Sequence, residues 1–199
     1  ANTTGASNTG IGGQTLEANT TASYNTAVGD DAMKANTEGQ ENAAYGVESL
    51  HQNTTGGRNT ALGAYACQGN TTASNNTGVG YLALYTNTTG AFNVAVGTNS
   101  LKSNTTAGTN TAVGYAVGED ITTGAGNTGL GYYAMGNTTT GANNTALGYT
   151  ALYTNTTASY GTAVGYNSLA ANTTGTQNTF GIPLQLCPIF LRLIIYVFF

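Results

Sequence analysis

Residues 144–160 read NTALGYTALYTNTTASY, and residues 161–177 read GTAVGYNSLAANTTGTQ. The two stretches align without a gap, matching at Thr, Ala, Gly, Tyr, Leu, Asn, Thr and Thr. Working outward, the same 17-residue unit starts at Asn8, Asn25, Asn42, Asn59, Asn76, Asn93, Asn110, Asn127, Asn144 and Gly161, with the consensus N-T-A-V-G-Y-x-A-L-x-x-N-T-T-G-x-x. Position 5 is glycine in every unit: Gly12, Gly29, Gly46, Gly63, Gly80, Gly97, Gly114, Gly131, Gly148 and Gly165. Position 13 is threonine in every unit, from Thr20 to Thr173. Strict self-similarity at a fixed period is the mark of a stacked repeat architecture. Residues 1–181 therefore read as one repeat domain, and residues 182–199 (IPLQLCPIFLRLIIYVFF) as a hydrophobic C-terminal tail.

Seventeen residues are too few for a helical hairpin, and Gly with β-branched Thr and Val disfavours helix at nearly every position. Short strands over N-T-A-V and Y-x-A-L, separated by Gly and by an N-T-T-G corner, predict an all-β fold. The expected architecture is a parallel β-solenoid of about ten 17-residue coils. Position 4 is apolar in every unit (Ile11, Val28, Tyr45, Leu62, Val79, Val96, Val113, Leu130, Leu147, Val164), and so is position 9 in all but one (Leu16, Met33, Leu50, Cys67, Leu84, Leu101, Met135, Leu152, Leu169). The exception at position 9 is Gly118, with Val117 beside it. Both columns are expected to face inward as core ladders. The position-5 glycines are expected where the chain turns without a Cβ penalty. The position-12 asparagines are expected to take a left-handed corner and bond their own backbone. Two large side chains per unit make a thin core, so no unit folds alone and order is expected to depend on stacking and association.

Only four Lys/Arg and eight Asp/Glu occur in 199 residues, with a net charge of −4. A chain with no basic stripe has nothing to neutralise phosphates, which argues against nucleic acid as a partner. Cys67 and Cys187 lie too far apart in sequence to suggest a disulfide framework. Cys67 occupies a position-9 slot and reads as a small buried hydrophobe. The chain opens on the last positions of a repeat, which suits a mature product or a fragment. For the tail, Pro183, Pro188 and Arg192 weaken a membrane-spanning reading. A plug over the last coil, a strand donated to a neighbouring chain, and a non-native gene boundary are the alternatives.

Chemistry-bearing residues are sparse. His51, the single histidine, sits at variable position 10, and one histidine supports neither a multi-His zinc site nor a clustered triad. Asp30-Asp31 and Glu119-Asp120 are isolated acidic pairs, short of the oxygens a calcium ion needs. No catalytic, metal or cofactor site is expected, and no enzyme activity. Tyr81, Tyr115, Tyr132, Tyr149 and Tyr166 share position 6 and predict either a contact surface for glycans or a structural ladder. Asn19, Asn53, Asn70, Asn87, Asn104, Asn155 and Asn172 open N-T-T corners, as does Asn2, and are formal N-glycosylation acceptors as well as corner residues. Asn137, Asn75 and Asn143 fit the same acceptor pattern. The threonines at repeat positions 13 and 14 are adjacent, so they do not form the paired outward columns of an ice-binding face. Only position 2 adds a Thr column, interrupted at Ala43 and Val94.

The element N-T-A-(V/L)-G-Y, as in Asn110–Tyr115 and Asn144–Tyr149, resembles the head repeats of trimeric autotransporter adhesins, whose shorter unit carries an A-(I/V)-G core. It is also similar to repeat regions of phage tail-fibre proteins. The resemblance covers residues 1–181. It implies a left-handed parallel β-roll, a homotrimer, and binding to host or matrix surfaces, with N-T-T-G as an added corner. The functional expectation is an extracellular or cell-surface fibre or adhesin segment acting by multivalent display. The alternatives are an ice- or glycan-binding solenoid, and a filament subunit that associates head to tail.

Overall fold

The computed structural model describes residues 2–181 and contains eleven three-residue strands, no helix among them. They are β1 (Thr9–Ile11), β2 (Thr26–Val28), β3 (Ala43–Tyr45), β4 (Thr60–Leu62), β5 (Thr77–Val79), β6 (Val94–Val96), β7 (Thr111–Val113), β8 (Thr128–Leu130), β9 (Thr145–Leu147), β10 (Thr162–Val164) and β11 (Thr179–Gly181). Each pairs in parallel with the next to form one sheet in sequence order. The register shifts by one unit at every step, as in Val94↔Thr111, Ala95↔Ala112 and Val96↔Val113. The fold is thus a parallel β-solenoid with about 17 residues per coil. The tail lies outside the described residues.

Each coil has one strand rather than the two expected. Positions 2–4 are extended, whereas Y-x-A-L forms consecutive tight turns. In the second coil Ala32 N–H donates to Gly29 O at 3.3 Å, Lys34 N–H to Asp31 O at 3.3 Å and Asn36 N–H to Met33 O at 3.1 Å. Intervening peptides point along the axis instead: Asp31 N–H donates back to Gly13 O at 2.9 Å, and Met33 N–H forward to Ser49 O at 3.0 Å. This alternation needs left-handed backbone at positions 7 and 9, seen at Asp31 (φ 56°) and Met33 (φ 51°). Such a conformation costs a side-chain-bearing residue roughly 1–2 kcal/mol. It persists because bonds to both neighbouring coils fix it. The left-handed corner expected at position-12 Asn is absent; positive φ falls at position 5, where every residue is Gly, and at positions 7, 9 and 17.

The core differs from expectation at one column. Side chains alternate along a strand, and Asn at position 1 turns inward, so position 3 is inward and positions 2 and 4 point out. Ala27, Ala44, Ala61, Ala95, Ala146 and Ala163 have no exposed surface. At position 4, by contrast, Ile11 is 60% exposed, Leu130 50%, Leu62 49% and Val164 41%. Val28, Val79, Val96, Val113 and Leu147 are half-buried, not core. At position 9, Leu50, Leu84, Leu101 and Leu152 are fully buried, while Leu16 and Leu169 near the two ends are partly buried against the same cluster. The interior thus holds one column of large apolar residues against columns of alanine and of buried asparagine.

Glycine at position 5 has a steric cause beyond the turn. Its φ runs from 122° at Gly165 to 138° at Gly131. A Cβ at Gly97 would lie 2.1 Å from Gly114 O in the next coil. Coil seven shows a compensated exchange at position 9. Gly118 leaves the Leu slot open, and buried Val117 and Ile121 fill it; a Cβ on Gly118 would come within 2.8 Å of Ile121 Cδ1.

Replacing Leu101 by Ala is expected to cost about 2–5 kcal/mol, whereas Leu62→Ala, at an outward position, costs less than about 1 kcal/mol. Equilibrium denaturant unfolding of the two variants checks this, and equal losses would contradict the division into inner and outer columns. Gly97→Ala is expected to lower the unfolding midpoint more than either.

Candidate functional site

Three polar ladders run inside or along the solenoid. At position 1 each Asn uses its side chain twice: Asn59 Oδ1 accepts from Asn76 N–H at 2.9 Å, and Asn59 Nδ2 donates to Ala73 O at 2.8 Å. At position 12, Asn70 Nδ2 donates to Asn53 Oδ1 at 2.8 Å and to Ala73 O at 3.0 Å. At position 13, Thr54 Oγ1 donates to Thr71 O at 3.0 Å. Burial of an amide is costly unless its hydrogen bonds are made, and here stacking makes them.

The position-12 ladder corrects the reading of these asparagines as surface acceptors. Asn19, Asn53, Asn70, Asn87, Asn104 and Asn155 are each no more than 1% exposed, and Asn172 is half-buried. Their amides are committed to neighbouring coils and unavailable to a glycan in the folded state. Asn143 and Asn2 stand exposed. The ladder breaks where Ile121 and Thr138 replace Asn, and the break leaves Asn104 Oδ1 and Thr138 Oγ1 buried without a hydrogen-bond partner.

The tyrosine column forms a stack over four coils. Tyr115–Tyr132, Tyr132–Tyr149 and Tyr149–Tyr166 lie 5.2, 5.1 and 5.2 Å apart, within 15° of parallel. Their ring faces cover one another, and their edges reach solvent. Tyr133 packs edge-on against Tyr132 at 4.8 Å. A hydrogen bond to Tyr115, with lesser help from desolvation, pushes the Tyr133 hydroxyl up to about 12. Tyr81 stands apart from the stack, edge-on to Tyr65 at 6.0 Å.

The candidate chemical residues are not brought together. Asp31 pairs with Lys34 at 3.2 Å and Glu119 with Lys102 at 3.6 Å. His51 is half-buried, with Nδ1 unpartnered. Among the described residues no group of three His, Cys, Asp or Glu converges. Cys67 is buried, and desolvation pushes its thiol up to about 12.

What remains is surface. On the sheet, position 2 (Thr except Ala43 and Val94) and position 4 (aliphatic except Tyr45 and Gly181) form two parallel outward columns across β1–β11 without one charged residue. Sequence reading missed this face because it assigned position 4 to the core; the alternation of N-T-A-V with Asn inward was the signal that finds it. Comparison with protein-family models, curated proteins and solved structures gave no match.

Two outcomes follow. Asn70→Asp removes the Nδ2 donor to Asn53 and Ala73 and buries a carboxylate, so it is expected to destabilise by about 3 kcal/mol or more at neutral pH. Thermal unfolding against Asn143→Asp, which should be near neutral, measures the difference. For Cys67, the unfolded thiol ionises near 9.0 and the folded one near 12, so its contribution is intact below the first value and falls as pH rises between the two. Cys67→Ala should flatten that alkaline loss in pH-dependent denaturant titrations.

Proposed function

We propose that the chain is a non-enzymatic structural segment of an extracellular fibre or adhesin, and that its solenoids associate side by side through the sheet face. The observation that carries this reading is the exposure of Ile11, Leu62, Leu130 and Val164 in one uncharged column. Eleven strands about 4.8 Å apart make that column roughly 48 Å long. A contiguous apolar surface of this kind marks an interaction site in a soluble protein. A second copy presents the same in-register face, so a closed homo-oligomer buries the position-4 columns of its subunits along the whole sheet. Three copies around one axis is the arrangement that the adhesin resemblance implies, and head-to-tail filaments are the alternative. Multivalent display then follows, since each outward feature recurs once per coil on each subunit. The uncharged face and the net charge of −4 also support a partner other than nucleic acid.

The same face supports a second reading, ice binding, on one specific observation. Thr111, Thr128, Thr145, Thr162 and Thr179 form an unbroken column beside the aliphatic one. Side by side on rigid strands, they give a planar array of hydroxyls and methyls. Thr at position 13 contributes nothing here, because its hydroxyl is held by the next coil.

Light scattering on the wild-type chain is expected to give a multimer. The triple variant Leu62→Lys/Leu130→Lys/Leu147→Lys should give a monomer with unchanged β-type circular dichroism. A wild type that stays monomeric across concentration would overturn the association reading, and thermal hysteresis in that monomer would establish the second.

A further inference from the structure

A cavity of about 360 Å³ opens on the flank of the solenoid, away from the sheet face, lined by Glu38, Gln40, Glu41, Thr55, Gly57, Arg58 and Ser74. These residues occupy positions 14, 16 and 17 of successive units, so the repeat itself builds the wall. Position 14 is exposed in every unit and is Thr everywhere except Glu38. Position 17 forms the other rim, and there the sequence has a second period. Tyr24, Phe92 and Tyr160 are its aromatic members, each separated from the next by four units. They are 62%, 61% and 60% exposed.

The three rings lie in one column. In each, the backbone N–H donates to the position-16 carbonyl of the preceding coil, Tyr24 to Ala6 at 3.0 Å, Phe92 to Ser74 at 3.3 Å and Tyr160 to Ala142 at 3.0 Å. At a coil height near 4.8 Å, the rings stand about 19 Å apart. None of them stacks on another ring among the described residues, in contrast to the tyrosine column at position 6. Their faces are open. Between Tyr24 and Phe92 the rim carries Glu41, Arg58 and Asn75, and between Phe92 and Tyr160 it carries Thr109, Gly126 and Asn143.

We infer that this flank binds an extended, neutral polysaccharide laid along the solenoid axis, with Tyr24, Phe92 and Tyr160 as stacking platforms. The inference goes beyond the structural role proposed above and uses a different surface. A pyranose ring presents a face of C–H bonds whose positive edge suits the negative face of an aromatic ring. An extended chain of such rings advances by roughly one coil height per sugar. Every fourth sugar therefore meets an aromatic face, and the three between meet threonine hydroxyls, amides and, over the cavity, the Arg58–Glu41 pair at 2.8 Å. Two carboxylates, Glu38 and Glu41, against one guanidinium leave the cavity wall net negative, which selects against acidic polysaccharides. Weak contacts repeated along one polymer add up to useful affinity.

Affinity electrophoresis of the full chain in native gels containing soluble β-glucan, xylan or mannan tests the inference, with alginate as the acidic comparison. Retardation by at least one neutral polymer and none by alginate is expected. The triple variant Tyr24→Ala/Phe92→Ala/Tyr160→Ala should weaken retardation by roughly ten-fold or more, while the conservative Tyr24→Phe/Phe92→Tyr/Tyr160→Phe retains it. Tyr166→Ala, in the stacked column, should also retain it. Failure of all three neutral polymers overturns the inference, as does equal retardation of the alanine variant or equal binding of alginate. Light scattering on the alanine variant separates this outcome from the association reading, since a multimer there leaves the sheet-face proposal intact.

Discussion

In every interior coil, the peptides at positions 2, 5, 7, 9, 11, 13 and 17 bond to a neighbouring coil. The side chains of the asparagines at positions 1 and 12, and of the threonine at position 13, add to that axial pattern. The apolar interior is narrow, one leucine and a few alanines per coil, so these bonds carry much of the work that a larger core does elsewhere. They also explain the tolerance of left-handed backbone at residues as unfavourable as Leu50 and Leu84. The peptide that leads into each is bonded on both sides: Leu50 N–H donates to Ala66 O of the next coil, and Ser49 O accepts from Met33 N–H of the previous one. The period cannot slip, because a one-residue shift would strand the amides of two buried Asn columns at once.

The repeat, its period, the parallel stacking and the inward position-9 column were legible because they depend on spacing and residue type together. Gly at position 5 was legible as a turn, although the clash of a Cβ with the next coil's carbonyl comes only from the stack. Position 4 was misread for a physical reason. Val, Leu and Ile in a strand mean core only when their neighbours are polar and outward, and here the neighbouring Ala is the inward residue. The Asn side chains were misread as well, since Asn at a corner is ordinarily exposed. Nothing in a single unit shows that the next one will supply its donor. The left-handed positions 7 and 9 left no signal at all, because residues such as Tyr65 and Leu84 have no preference for that conformation.

Coil seven shows how far one unit can depart while its neighbours hold it in place. Gly118, Val117 and Ile121 redistribute the same interior volume, and Gly129 at position 3 makes room, since a Cβ there would approach Val117 Cγ1 to 2.5 Å. The exchange is complete in packing but not in polarity. Asn104 Oδ1 loses its donor, and Thr138 does not replace it. Volume can be rebalanced between adjacent positions of one coil, whereas a ladder needs the same group in each successive coil.

The stacking bonds also determine how the molecule meets a pulling force. Each coil is joined to the next by one covalent strand of chain and otherwise by bonds parallel to the axis. A load applied between the two ends is carried by every interface in series. The end coils, which have a neighbour on one side only, give way first, so coils peel away in turn instead of shearing together. Each release yields about 55 Å of free chain. A rod built this way lengthens in even steps under tension and dissipates work at each one, so that a tether made from it stretches before its attachments let go.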